Sequence, residues 1–215
     1  MTLPSTVLFP QAMLPLYIFE DRYRKMLADV LSSHRLFAVV ALDVEAARDP
    51  DQFEPPCRAG AIGMIRASHK NDDGTSNLIL QGLARVTVDG IIQEDPYRTI
   101  KVTPIQTERD ETEGSFKNRR LQLMDLFRQK QTLGGRVPED VLKFLRRISD
   151  PEAFLDLAAY ALLEETVQKQ RLLREASLSK RFTTFEQQIQ KDMKALQILK
   201  DFQQEGPEGD EDSNN

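Results

Sequence analysis

GAIGMIRASHKNDDGTSNLILQGLARVTVDGII, residues Gly60–Ile92, is the stretch whose reading decides the fold. Gly60–Ala67 is a short apolar run holding Ile62 and Ile65, the composition of a strand with a buried face. Asn71-Asp72-Asp73-Gly74 follows and ends on an Asp-Gly pair, whose backbone tolerates the positive φ of a hairpin turn. Asn77–Gln81 is then the returning strand, and Leu83–Ile92 sets Leu83, Arg85 and Thr87 on one side against Ala84, Val86 and Val88 on the other. A period of two is the spacing of a pleated strand and makes no continuous helical face. This part of the chain is therefore β, in short strands joined by turns.

Upstream, Leu36–Leu42 (LFAVVAL) is a valine-rich run of buried-strand type, and Asp43–Cys57 is a long loop marked by prolines and acidic residues. Glu20–Leu31 carries Tyr23, Met26, Leu27, Val30 and Leu31 at the spacing of one helical face. Downstream, Tyr97–Ile105 is a last strand. Residues 1–109 thus form a β-rich subdomain with one helix, either a rolled-up antiparallel sheet or a partly open barrel.

From Ser115 the period changes to helical. Phe116, Leu121, Leu123, Met124 and Phe127 mark a helix stopped by Gly134-Gly135, and a second starts near Pro138 with Val141, Leu142, Leu145 and Ile148 as its inner face. Asp150-Pro151 is a start signal, because the Asp oxygen can accept orphan N–H groups and a proline in the first turn gives up no bond. Phe154, Leu157, Ala158, Ala161 and Leu162 follow it. A short helix around Val167–Glu175 leads to a long one, about Ser179 to Phe202, with Phe182, Phe185, Ile189, Met193, Leu196 and Leu199. Residues 115–204 form a helical bundle packed on itself. The long last helix has two uses open to it, as bundle core or in self-association with another chain.

Residues 205–215, EGPEGDEDSNN, have no apolar side chain and five carboxylates without a Lys or Arg, the composition of a disordered acidic tail. The chain of 215 residues has 29 basic and 34 acidic side chains, so the whole net charge of −5 resides in that tail and the body is neutral. Aromatic content is 7% with no Trp, which leaves few stacking platforms, and a basic stripe is missing; nucleic acid is disfavoured as a partner. One cysteine, Cys57, excludes an intrachain disulfide and a cysteine-built zinc site. Met1–Phe19 lacks a basic n-region and carries Pro4, Pro10 and Pro15, so it does not read as a secretory signal. No run reaches the ~18 apolar residues of a membrane span. The expectation is a soluble cytoplasmic protein.

LFPQAMLPLYIFEDRYRKML (Leu8–Leu27), GAIGMI (Gly60–Ile65), LILQGLARVTV (Leu78–Val88) and VPEDVLKFLRRISDPEAFLDLAAYALLEETVQKQRLLREASLSKRF (Val137–Phe182) occur in this order and closely resemble the N-terminal domain of Lon proteases. The resemblance implies an α+β protein: an N-terminal β-rich pseudo-barrel (PUA-like) subdomain with one helix, then a C-terminal helical bundle. It also implies the binding of protein substrates. The chain contains no GxxxxGK[ST] phosphate loop, so the backbone cradle and lysine that hold ATP phosphates are missing. The expectation is a stand-alone Lon-like N-domain without ATPase or protease activity.

No catalytic residue, metal ligand set or cofactor is expected. Cys57 and His69 have no nucleophile signature around them. His34 follows the first helix, where an imidazole suits the C-terminal dipole, while Glu164-Glu165 and Asp72-Asp73 read as solvated or turn residues. The residues that no periodic face explains are Met13 between Pro10 and Pro15, Phe53 in the acidic loop, and Tyr97 after Asp95-Pro96. Flexible Met with aromatic anchors suits recognition of exposed apolar segments in unfolded or partner proteins. These three are either that peptide-binding surface or plugs at the barrel ends. The functional expectation is a non-catalytic protein- or peptide-binding module, with an RNA-binding protein or an enzyme with an unrecognised site as the alternatives.

Overall fold

A computed structural model describes residues 1–204, so the acidic tail lies outside the described residues. The elements in chain order are β1 (Thr2–Leu3), β2 (Met13–Ile18), α1 (Asp21–Leu31), β3 (Leu36–Leu42), β4 (Pro56–Lys70), β5 (Ser76–Gln93) and β6 (Thr99–Pro104). Then come α2 (Glu113–Thr132), α3 (Glu139–Arg146), α4 (Pro151–Leu162), α5 (Thr166–Arg174) and α6 (Leu178–Gln204), with one 3-10 turn at Ala46–Arg48.

β5 organises the sheet. Residues 76–87 pair antiparallel with β4 along one edge, while the other edge serves β2 at residues 76–81 and β6 at residues 86–93. The order is β1-β3-β4-β5-β2, with β6 beside the far half of β5. All pairs are antiparallel except β1 with β3, where Thr2 faces Val40 and Leu3 faces Ala41. Register shifts at Ile62/Gly63 and Ile65/Ala67 on β4, and two more in β5 against β6, mark bulges that bend and twist the strands. The sheet therefore rolls. Arg98, just before β6, donates to Thr2 Oγ1 at 3.1 Å, Phe53 O at 2.7 Å and Glu54 O at 2.5 Å, so a side chain bridges the rolled sheet back to β1.

Two differences from the sequence reading have a common cause in packing. Asn77–Gln81 and Leu83–Ile92 are one strand, unbroken at Gly82. The glycine is there because another piece of backbone crosses it: Gly82 N–H donates to Ala12 O at 2.9 Å and its carbonyl accepts from Gln11 N–H at 2.8 Å. A Cβ at Gly82 would lie 2.0 Å from Phe9 O. Met13, which no periodic face explains in the sequence, is the first residue of the strand β2, held in register by β5 with Met13 opposite Gln81.

The helices begin where their caps predict. Asp150 accepts from Ala153 N–H at 2.8 Å ahead of α4, and Thr112 accepts from Ser115 N–H at 3.2 Å ahead of α2. Asp110 serves α6, accepting from Ser179 N–H at 3.0 Å and from the Ser177 and Ser179 hydroxyls. Phe127 meets Phe154 and Phe185 with ring centroids 6.4 and 5.6 Å apart, and Phe116 stacks on Phe182 at 5.9 Å. One buried apolar cluster runs from Val7 through the sheet to Ile189 of α6. At the junction Arg85 of β5, 2% exposed, donates to Leu173 O, Glu175 O and Thr107 Oγ1. Arg181 of α6, fully buried, pairs with Asp156 and Glu152 of α4.

Gly82→Ala should destabilise the protein by about 2–4 kcal/mol, measured as a lowered urea midpoint, because neither the strand nor the Phe9–Ala12 crossing can move alone. A second expectation concerns acid. The serine hydrogen bonds hold the Asp110 carboxyl at about 2, below its ordinary value. A carboxyl depressed in the folded state adds stability that is full above its unfolded value and lost as pH falls through the folded one. The stability gap between wild type and Asp110→Asn should therefore be constant above roughly pH 4 and shrink from there towards pH 2, read from urea melts at each pH.

Candidate functional site

Strands β2, β5 and β4 stand side by side, and their register sorts the side chains into two faces. Leu14–Leu80–Ile65 is a buried row. The alternate rows, Met13–Gln81–Met64, Pro15–Ile79–Ala67 and Tyr17–Asn77–His69, face the other way. This outer face is apolar yet open: Met13 is 46% exposed and Tyr17 53%, and Phe19 just past β2 is 60% exposed and stacks on Tyr17 with centroids 5.9 Å apart. A cavity of about 480 Å³ lies on it, between Pro15, Tyr17, Ala67, His69 and Ile79.

The free edge of β2 is blunted. Because Gly82 N–H bonds Ala12 O, the alternation of an antiparallel ladder turns the backbone of 14, 16 and 18 towards β5 and that of 13, 15 and 17 outwards. Pro15, with no N–H to offer, therefore costs no ladder bond. The outward carbonyl of Met13 accepts from the Tyr160 hydroxyl of α4 at 3.2 Å, and Lys169 of α5 lies 5.5 Å from the Tyr160 ring centroid. Burial lowers the Lys169 ammonium below its ordinary value.

Arg66 occupies the β4 bulge between Ile65 and Ala67, without a partner in the β5 register. Its Nε donates to Gln81 Oε1 at 2.6 Å and its Nη1 approaches Met64 Sδ at 3.2 Å, so the guanidinium lies over the Met13–Gln81–Met64 row.

Of the three residues singled out from sequence, Met13 belongs to this face and the other two lie elsewhere. Phe53 is 67% exposed, has Arg22 over its ring at 5.6 Å, and gives its carbonyl to Arg98. Tyr97, half-buried beside Arg98, donates to Asp29 Oδ2 at 2.8 Å, which raises the phenol above its ordinary value. Tyr97 and Arg98 also belong to the wall of an apolar cavity of about 420 Å³ between α1, β3, β4 and β6, with Met26, Phe37, Ile62 and Ile100. Arg98 thus links the Phe53 backbone to the segment that holds Tyr97, while Met13 stands with Tyr17 and Phe19 elsewhere. The sequence reading missed Pro15, Tyr17, Ile79 and Arg66. One signal for them was present: both alternate sets of Met13–Phe19 are largely apolar, although one face of β2 suffices for the core.

The groups with reactive chemistry do not converge. Cys57 donates weakly to Leu42 O at 3.6 Å, and burial pushes its thiol up. His69 is twelve residues further along the same strand, roughly 40 Å of extended chain before bending. His34 Nδ1 accepts from Leu36 N–H at 3.0 Å in the turn after α1. Among the described residues no group of three or more His, Cys, Asp or Glu could hold a metal ion, and no helix is long and apolar enough to cross a membrane.

The family described as the ATP-dependent protease La (LON) substrate-binding domain matches residues 1–191, and the chain belongs to it. The chain is 26% identical over 206 residues to the Lon protease of Dictyoglomus thermophilum, which covers 94% of the chain and 25% of that relative. It is 23% identical over 204 residues to that of Desulfosudis oleivorans, covering 92% and 24%. The chain thus spans about a quarter of the length of the relatives it matches. Among solved structures, the N-terminal domain of Mycobacterium avium complex Lon protease superposes with a TM-score of 0.65 at 16% identity, covering 90% of this chain and 96% of that one. A Lon N-terminal domain protein from Xanthomonas campestris gives 0.57 at 19% identity, covering 86% and 94%. Both share the α+β fold, with its β-rich part and its helical part.

Proposed function

We propose that the chain is a non-catalytic module that binds exposed apolar segments of other proteins on the outer face of β2, β5 and β4. The observation that carries this is the open apolar face itself, whose three aligned rows expose Met13 and Tyr17 around a half-buried Ile79, beside a neighbouring exposed Phe19. Leaving such a face in water costs about 25 cal/mol per Å² of apolar surface, and a contiguous apolar patch on a folded domain commonly marks an interaction site. Membership of a substrate-binding family supports the same use. Met13 is an anchor within this face, and exposed Phe53 and half-buried Tyr97, both near Arg98, are separate contact points away from it.

In this reading residues 1–109 carry the recognition surface and residues 115–204 support it, in the cytoplasm, with neither hydrolysis nor nucleic acid involved. The far end of α6 has a separate role. Leu196 packs towards Gly135, and beyond it Ile198, Leu199 and Phe202 are exposed on a helix that α2 no longer accompanies. We assign that end to contact with another chain. Sedimentation velocity should show a concentration-dependent larger species that Phe202→Glu abolishes, and a strictly monomeric wild type would remove the assignment.

Binding is tested by fluorescence anisotropy with a labelled apolar peptide and with a permanently unfolded protein. Tyr17→Asp should raise Kd on the order of tenfold for both, while the thermal midpoint stays close to wild type because Tyr17 is half exposed. Saturable binding that is indifferent to Tyr17→Asp, or its absence in the wild type, would dismiss this surface.

A further inference from the structure

The outer face of β2, β5 and β4 has a charge asymmetry that the neutral body as a whole does not show. Its nine positions are Met13, Gln81, Met64, Pro15, Ile79, Ala67, Tyr17, Asn77 and His69, and none is Asp or Glu. Into this setting the β4 bulge delivers Arg66. Bulges commonly re-aim a side chain, and here the extra residue is an arginine whose guanidinium lies over the face.

Arg66 is distinguished by its place over these rows rather than by the lack of an ion pair, which it shares with exposed arginines such as Arg35, Arg58 and Arg136. Arg22, Arg24, Arg98, Arg109, Arg119 and Arg128 all have carboxylate partners within the fold. Arg66 takes part in none of the ion pairs among the described residues. A guanidinium has five N–H donors. One is spent on the neutral Gln81 amide, another on the weak thioether acceptor of Met64, and Nη2 has no hydrogen-bond partner among the described residues. Gln81 and Met64 hold the planar group in place, so little rotamer freedom remains to be lost when a ligand arrives.

Resting on the reading of this face as a peptide-binding surface, we propose that Arg66 is its specificity-determining residue and that the preferred occupant is an apolar peptide segment carrying an acidic side chain. The apolar residues seat on Met13, Tyr17 and Ile79, and the carboxylate meets the unspent N–H donors of Arg66. A carboxylate matches the planar donor fork in a way that a neutral amide does not, and a lysine in the same place would meet like charge. The face thus discriminates among apolar segments instead of accepting all of them equally.

The test uses the whole chain and short labelled peptides of alternating Leu and Ser with one central Glu, Gln or Lys, read by anisotropy at low salt. Wild type should bind the Glu peptide about three- to tenfold more tightly than the Gln peptide, with Lys weakest. Arg66→Gln should abolish the preference, bringing the Glu and Gln peptides to equal affinity, and Arg66→Glu should invert it towards Lys. Lys70→Gln, a nearby charge change, should leave the preference intact. Equal affinity of wild type for the Glu and Gln peptides overturns the proposal while leaving the peptide surface standing, as does a preference that survives Arg66→Gln. Displacement of the Glu peptide by a single-stranded oligonucleotide, steeply weakened by salt, overturns it in favour of phosphate as the anion. Failure of all three peptides to bind saturably removes the surface itself, and the proposal with it. Unchanged thermal midpoints of the Arg66 variants keep these outcomes free of folding effects.

Discussion

A buried guanidinium in the middle of β5 ties the two parts of the chain together. Arg85 is withdrawn from water at a position where the strand has β4 on one side and the end of β6 on the other, and burial lowers its affinity for a proton. It is tolerated because the carbonyls of Leu173 and Glu175, at the C-terminal end of α5, stand where its N–H groups point. Those carbonyls are the ones a helix leaves without internal partners, and they form the negative end of its dipole. One contact thus answers two deficits. Removing either side would leave a desolvated charge or bare carbonyls in the interior, which costs about 3–5 kcal/mol for a broken buried pair. Arg181, paired with Asp156 and Glu152, extends the same junction into α4 and α6.

This junction positions the helices where they complete the core, and it leaves the Met13–Gln81–Met64, Pro15–Ile79–Ala67 and Tyr17–Asn77–His69 rows uncovered. An open apolar face beside an edge strand is ordinarily an aggregation hazard, since a second chain can add its own strand. Pro15 removes a donor at the centre of that edge, and Tyr160 occupies the Met13 carbonyl at one end. Side chains are therefore accessible while the backbone is poorly suited to continuation of the sheet. That combination favours contacts made by apolar anchors over contacts made by strand addition.

The parts of this structure legible in the sequence are those decided locally. LFAVVAL is a strand with the bounds its composition suggests, Asp150-Pro151 starts α4 through the expected side-chain hydrogen bond, and the apolar stripe of α6 is buried at Phe182, Phe185 and Ile189. What was not legible depends on contacts distant along the chain. Gly82 reads as a strand break until the carbonyl of Phe9 is seen against it. Met13 looks like a loop residue between two prolines until Gln81 supplies a partner. Arg85 reads as one position in an alternating strand, and nothing nearby announces that its hydrogen bonds lie 88 and 90 residues away. The outer face was half legible: Met13 was singled out as unexplained, but its neighbours on the face come from strands whose register the sequence leaves unset.

Charge shows the same division between what is summed and what is placed. A body with equal numbers of acidic and basic side chains argues against a polyanion partner only if the charges are mixed evenly, and pairing decides whether they are. Among the described residues eight arginines pair with an Asp or Glu, several within a few residues along the chain. Arg66 is not one of these, and a bulge moves it out of step with its strand and onto rows that hold no carboxylate. Backbone irregularity, rather than composition, is what creates a local field on a neutral domain. It follows that a relative with the same net charge but a regular β4 would present a different surface, and that the register of this one strand carries more information about the ligand than the charge count of the whole chain.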